Sequence, residues 1–503
     1  MSPDRSQASG ETPGSGLRSL VLRGIAWSMV AVATMQISRF IAGIVLARLL
    51  TPHDYGVAAM ALIFSSLVLA FSDLSMGAAL VQRPTVTERD RATVFWTSFA
   101  IGLLLTLAGV ALAGPIASFY GEPEVRALFT VVSLSFVLMA LQTTQASLLQ
   151  REMNFRVITL RRMVAVVLGG VVGITMAVLD FGPWSLIAQQ VTSTIISTLL
   201  LWTFSSWRPS LTFSLESLRD FGSFGLNLLG ARLVGYFNRS SDALLIGKFL
   251  GSAPLGVYTV AYNVMVLPIN RLVIPLQDTL FPAYSRLQSD RDRLTGVWLR
   301  VNRVAAAFLL PGGLGLIVVA PDLVPIVLGQ QWRPAVEVIQ ILALVGLLQS
   351  LAALGGKVLE ALNRPRTILR FSLLHFAVTV PAFVVGLRWG VTGVATAYAV
   401  VTVPLSVLYA RLTTQALGLS LRTLARALSG VAQASAIMTL GVLLARLALI
   451  EAGLPAGARL AAAVIVGIGL YLPLCLWRAP ELRIEVERIR MRKRQERAAT
   501  TPA

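Results

Sequence analysis

Long apolar runs separated by short polar loops dominate the chain. They fall near residues 24–47, 57–82, 94–113, 127–149, 163–179, 184–204, 222–247, 256–285, 301–319, 334–356, 368–387, 392–410, 427–448 and 457–477. Each is close to the length of about 20 residues that an α-helix needs to cross a hydrocarbon core of about 30 Å. The pattern therefore predicts an all-α integral membrane protein with about fourteen transmembrane helices. The short alternating strands of a membrane barrel are absent from the sequence. The fifth and sixth runs are joined by LDFGPW, a connection tight enough for the pair to be read as one long helix.

Composition agrees with the pattern. Of 503 residues, 55% are hydrophobic and 13% charged, and the mean hydropathy is +0.74. A soluble domain carries about 25% charged residues, so roughly half the usual charge is missing. The net charge of +19, from 43 Lys and Arg against 24 Asp and Glu, would suggest a nucleic-acid partner in a soluble protein. Here the basic residues sit in short loops, which makes membrane topology the better explanation and nucleic acid no partner. One set of alternate loops, with both tails, carries about 32 of them and the other set about seven, which places both termini in the cytoplasm. Residues 1–19 are polar and rich in Gly, Ser and Pro, and read as a disordered tail without the features of a cleaved signal peptide. The basic tail 479–503 has two open readings, a helix lying on an anionic leaflet or a solvated positive-inside tail. Cys475 is the single cysteine, so neither an internal disulfide nor a cysteine-rich metal site is expected.

The chain also repeats itself. LARLLTPHDYGVAAMA from Leu46 is echoed by LIGKFLGSAPLGVYTVA from Leu245, with Leu50, Gly56 and Val57 recurring as Leu250, Gly256 and Val257. Arg39 matches Arg239, and RDRATVFW from Arg89 matches RDRLTGVW from Arg291. LLQREMN ending at Asn154 is answered by VLEALN ending at Asn363, and LDFGPWSLIA from Leu179 by LRWGVTGVAT from Leu387. Order is preserved while the offset drifts from 200 to 209. Six helices are thus written twice. Because six is even, both copies share one orientation, which predicts a parallel repeat with its pseudo-twofold along the membrane normal. The expected division is an N-lobe at 20–204, a cytoplasmic linker of amphipathic potential at 205–221, a C-lobe at 222–415 and two appended helices at 416–478.

Ionisable groups at membrane depth are costly and mark function by default. Arg39 lies about nine residues from the outer end of the first helix, roughly 13 Å deep at 1.5 Å per residue. Arg239 holds the matching place in the seventh. Arg232 is one heptad earlier on the same face, and Arg271 lies inside the eighth helix. Together they make a candidate cationic cavity, because the planar guanidinium fork matches phosphate oxygens. The competing reading is that Arg39 snorkels to the interface and Asp242 neutralises Arg239. Asp73, Asn238 and Asp242 are candidate supporting or ion-coupling residues, and His375 reads as a core residue rather than a proton relay. Pro268, Pro275 and Pro282, seven apart on one face, make the eighth helix the candidate bent gate.

Catalytic and nucleotide-binding motifs are missing from the sequence, and no cofactor or metal is expected. The stretches SRFIAGIVLARLLTPHDYGVAAMA, FSDLSMGAALVQR, NRSSDALLIGKFLGSAPLGVYTVAYNV and LFPAYSRLQ resemble the polysaccharide-repeat-unit flippases. These belong to the multidrug/oligosaccharidyl-lipid/polysaccharide flippase superfamily, and the resemblance runs from about residue 20 to 415. It implies a V-shaped two-lobe fold in the inner membrane and, as substrate, an oligosaccharide on undecaprenyl pyrophosphate. It also implies a polymerase partner that joins the units outside. Three alternatives stay open: a lipid II flippase of the same superfamily, a cation-coupled drug exporter and a membrane glycolipid polymerase or ligase.

Overall fold

The computed structural model describes residues 32–72, 77, 80–81, 83–481 and 491, with backbone alone for 68–72 and 220–234. Among the described residues every regular element is helical. In chain order these are α1 (Val32–Leu49), α2 (Pro52–Ser72), α3 (Glu88–Tyr120), α4 (Glu124–Arg151), α5 (Phe155–Val178), α6 (Trp184–Phe204) and α7 (Leu215–Leu250). There follow α8 (Ser252–Arg286), α9 (Arg291–Val327), α10 (Ala335–Ala361), α11 (Pro365–Gly386), α12 (Gly390–Ala416), α13 (Leu421–Glu451) and α14 (Ala456–Arg478). Among the described residues, 11 helical stretches are long and apolar enough to cross a membrane, with α11 and α12 forming one continuous stretch, Pro365–Ala416. A single 3-10 turn, Leu387–Trp389, separates those two helices.

The described residues form two compact units. The first runs to Leu50 and resumes over Ala61–Tyr236; the second holds Thr51–Met60 and everything from Phe237 onward. Helices α13 and α14 therefore belong to the body of the second unit. The division falls within α2 and within α7.

In the first unit small residues let helices approach. A Cβ on Gly173 of α5 would sit 2.8 Å from Cβ of Gln189 in α6, and one on Gly169 would overlap the Ser193 hydroxyl. In lipid, where burial of apolar surface gives no drive, such close backbone packing is what holds helices together. Helix α3 begins at a capping box, in which Thr87 accepts from the Asp90 amide and Asp90 accepts from the Thr87 amide. Glycine at position 121, with φ 74°, ends it. The segment after α6 is tied to this start: Trp207 Nε1 donates to Glu88 (2.9 Å), Trp96 Nε1 to the Ser210 carbonyl (2.9 Å) and Ser217 Oγ to Asp90 (2.6 Å). These bonds make the expected linker part of the first unit.

In the second unit the start of α2 crosses α8. Thr51 caps α2 by accepting from the Asp54 amide. A Cβ on Gly56 would overlap the Ser252 carbonyl, and one on Gly256 would overlap the Pro52 carbonyl. Pro52 and Ser252, like Gly56 and Gly256, are 200 apart, so the contact maps onto itself under the repeat. Reciprocity of this kind is the mark of a local two-fold. His53 Nδ1 and Ser252 Oγ are hydrogen-bonded beside it at 2.7 Å.

The turn after α4 recurs after α10. Met153 and Asn154 donate to the carbonyls of Gln150 and Leu149, and Asn363 and Arg364 to those of Glu360 and Leu359. Met153 (φ 55°) and Asn363 (φ 54°) share the left-handed conformation. The structural offset is 363 − 153 = 210, one more than the sequence match of the two asparagines. Asn154 instead caps α5 by accepting from Val157 N, where α11 begins with Pro365.

Candidate substrate-handling site

The arginines singled out in the sequence differ in setting. Arg39 is exposed on α1 and Arg239 is exposed on α7. Arg232 lies on the backbone of α7, and its side chain is outside the described residues, as is Asp73 altogether. Arg239 forms no ion pair among the described residues, and Asp242, three residues on, is 3% exposed and accepts from the Tyr258 hydroxyl at 2.7 Å. The structure thus pairs Asp242 with a tyrosine of α8 rather than with Arg239. Asn238 is half-buried and its Oδ1 has no hydrogen-bond partner.

Helix α8 is not uniform. Its α-helical part ends at Pro268, a π-helical turn spans Ile269–Val273, and α-helix resumes at Ile274. Proline lacks the amide that would continue the ladder, and Pro268 and Pro275 bracket the turn while Pro282 lies within the last segment. Such π turns recur at functional sites. Arg271 occupies the middle of this one, exposed and without an ion pair among the described residues. It also stands on the wall of a cavity of about 420 Å³ between α8, α9 and α10, otherwise lined by apolar residues such as Met265, Phe308 and Leu347 and by Gly312. One cation on an apolar chamber is a setting for an amphiphile with an anionic head.

One buried cation escaped the sequence reading. Arg161 of α5 is 5% exposed, and Nη1 donates to Gln142 Oε1 of α4 at 3.2 Å. Ser197 Oγ of α6 donates to the same oxygen at 3.0 Å, while Gln142 Nε2 donates to Thr198 Oγ1 at 2.8 Å. Arg161 Nε has no partner, and neither polar atom of the fully buried Gln145 has one. The signal lay in α4, where the string LQTTQ interrupts an apolar helix opposite Thr194, Ser197 and Thr198 of α6.

Membrane-length helices, close glycine crossings and exposed arginines such as Arg239 and Arg271, without ion pairs among the described residues, define a multi-pass, all-α membrane protein of transporter type. The solved structure of the lipid II flippase MurJ in an inward closed conformation has the same fold. The TM-score is 0.73 at 15% identity, over 90% of this chain and 99% of that one. Residues 45–337 match the family described as polysaccharide biosynthesis protein, and the chain belongs to that family. Among its relatives, the lipopolysaccharide biosynthesis protein WzxC of Escherichia coli K12 is 28% identical over 376 residues, 74% of this chain and 76% of that one. The succinoglycan biosynthesis transport protein ExoT of Rhizobium meliloti 1021 is 28% identical over 324 residues, 64% and 66% of the two chains.

Proposed function

We propose that this protein is a flippase, which moves oligosaccharide repeat units on undecaprenyl pyrophosphate from the cytoplasmic to the periplasmic leaflet of a bacterial inner membrane. The observation that carries the reading is the set of exposed arginines on membrane helices, Arg239 and Arg271 without a carboxylate among the described residues. An ionised headgroup is barred from hydrocarbon by desolvation, and fixed guanidinium groups offset its charge along the path. Arg39, Arg232, Arg239 and Arg271 serve as those groups, with Asp73, Asn238 and Asp242 as supporting or ion-coupling residues. The apolar chamber beside Arg271 suits the lipid chain behind the phosphate.

In this reading, residues 20–204 and 222–415 are six-helix lobes that rock about the substrate, and the broken α8, with Pro268, Pro275 and Pro282, is the gate. Both termini face the cytoplasm, and a polymerase takes the unit on the far side. Sidedness of the carrier-linked glycan in cells lacking the gene tests the proposal. The glycolipid should accumulate facing the cytoplasm; wild type should restore export, and an expressed Arg39→Ala/Arg239→Ala variant should not. A glycolipid that reaches the periplasm unpolymerised would instead make the protein a downstream partner or enzyme.

A further inference from the structure

A second cavity, of about 250 Å³, opens between α10, α11 and α12 of the second unit and shares no lining residue with the Arg271 chamber. Its polar lining is Gln349, Ser372, His375, Thr402 and Ser406, and no charged side chain lines it. His375 lies ten residues into α11, about 15 Å along the helix at 1.5 Å per residue. The hydroxyl of Thr402, a residue 2% exposed, has no hydrogen-bond partner. Among the described residues His375 makes no hydrogen bond either, and its ring lies tilted against Phe371 at 6.2 Å. Gln349 spends its amide nitrogen on the Tyr398 hydroxyl (2.7 Å), which leaves its oxygen as an acceptor. Polar groups orphaned at membrane depth carry a desolvation cost that water or a ligand must relieve.

The lining selects among ligands. Hard cations need carboxylate or carbonyl oxygens in number, and an anion needs cations; neither set is present. Hydroxyls, an amide oxygen and an imidazole instead offer donors and acceptors in a small space. One side is aromatic, where the rings of Phe371 and Tyr409 lie 4.4 Å apart at 47°. A compact ligand with several hydroxyls on its rim and a C–H face fits this set. Drug-sized ligands fill cavities of about 300–1,000 Å³, so the volume suits one ring rather than an oligosaccharide.

We propose that this cavity is a neutral-sugar subsite, which holds one hexose ring of the transported glycan. The proposal rests on the flippase reading for the source of the sugar, not for the chemistry of the cavity. His375 and Thr402 bind ring hydroxyls, and Phe371 with Tyr409 forms the stacking wall. Sugar identity in the repeat unit would then be sensed in a chamber distinct from the one that Arg271 lines.

Saturation-transfer NMR on the purified full chain in lipid nanodiscs tests this, with the methyl glycosides of glucose, galactose, mannose and N-acetylglucosamine as probes. At least one probe should receive saturation from the protein. Thr402→Val/His375→Leu should weaken that binding about tenfold, as expected from losing two hydrogen bonds. Ser406→Leu, which fills the chamber and leaves both groups in place, should abolish it and secures the test if the double variant does not fold. Absence of transfer to every probe means that water alone occupies the chamber, and overturns the proposal. Transfer that survives Ser406→Leu in folded protein overturns it too. Glycan export measured in the same strains separates the two readings: intact export without sugar binding sinks only the subsite, and sugar binding without a sidedness defect sinks only the flippase.

Discussion

Arginines shielded from solvent, one buried and two half-buried, appear in the two units in opposite circumstances. In the second, Arg446 of α13 and Arg459 of α14 converge on Asp322 of α9, each with an N–O distance of 2.6 Å, and Asp322 is 3% exposed. Arg459 also donates to the Leu454 carbonyl at 2.9 Å. In the first, Arg161 has an amide and no carboxylate among the described residues. Two cations around one acid make a structural clasp, since each of the three groups has an oppositely charged partner within the fold. Arg161, without a counter-charge, is a standing cost to folding. The contrast sorts membrane arginines by what answers them, which is a better guide than their depth.

The clasp offers the largest effect. Asp322→Ala leaves two guanidinium groups with side chains only 15% and 22% exposed and no acid between them. Breaking a buried pair in this way costs about 3–5 kcal/mol. The thermal unfolding midpoint in detergent should fall sharply and the yield of folded protein with it. Because the clasp joins α13 and α14 to α9, where the Tyr471 hydroxyl also donates to the Ala307 carbonyl at 2.6 Å, proteolysis should first release the C-terminal hairpin. An unchanged midpoint would show that apolar packing alone holds these helices.

Arg161→Met should do far less to the fold. It removes one hydrogen bond to Gln142, which keeps that of Ser197, and it relieves a buried charge. The two effects oppose each other, so stability should stay within about 1 kcal/mol of wild type. A collapse as large as that of Asp322→Ala would erase the distinction between the two sites. Lost glycan export at unchanged stability would instead bring Arg161 into the headgroup path beside Arg39.

Much of this fold could be read from hydrophobic periodicity, since lipid demands long helices and tolerates little else. The repeat was legible through Gly56 and Gly256, where only a missing side chain lets the two backbones meet. Its register after the fourth helix was one residue off, because matching Asn154 to Asn363 joins a helix cap to a left-handed turn residue. Arg161 was missed for a related reason. The apolar run begins near residue 163, whereas α5 starts at Phe155, so the arginine lies about 9 Å inside the helix. Hydropathy cannot show that depth, because it reads a charge near a helix end as loop. Nor could it separate Asp242 from Arg239: proximity along α7 suggested an ion pair, and the Tyr258 hydroxyl across on α8 provides the partner.

The smallest expected effect completes the ordering. Arg303 of α9 also meets an acid, Glu481, at 3.7 Å, but that carboxylate is 54% exposed. Solvent screens such a pair, and exposed pairs contribute about 0–1 kcal/mol. Arg303 Nε donates to the Ala427 carbonyl at 3.0 Å whether or not Glu481 is charged, so Glu481→Gln should leave the unfolding midpoint within error of wild type. The three variants together ask whether burial of the acid, rather than the mere presence of an arginine beside it, sets the strength of a clasp. If Glu481→Gln destabilised the protein as much as Asp322→Ala, the charge would matter without the burial. The sorting of arginines by their surroundings would then fail at its first step.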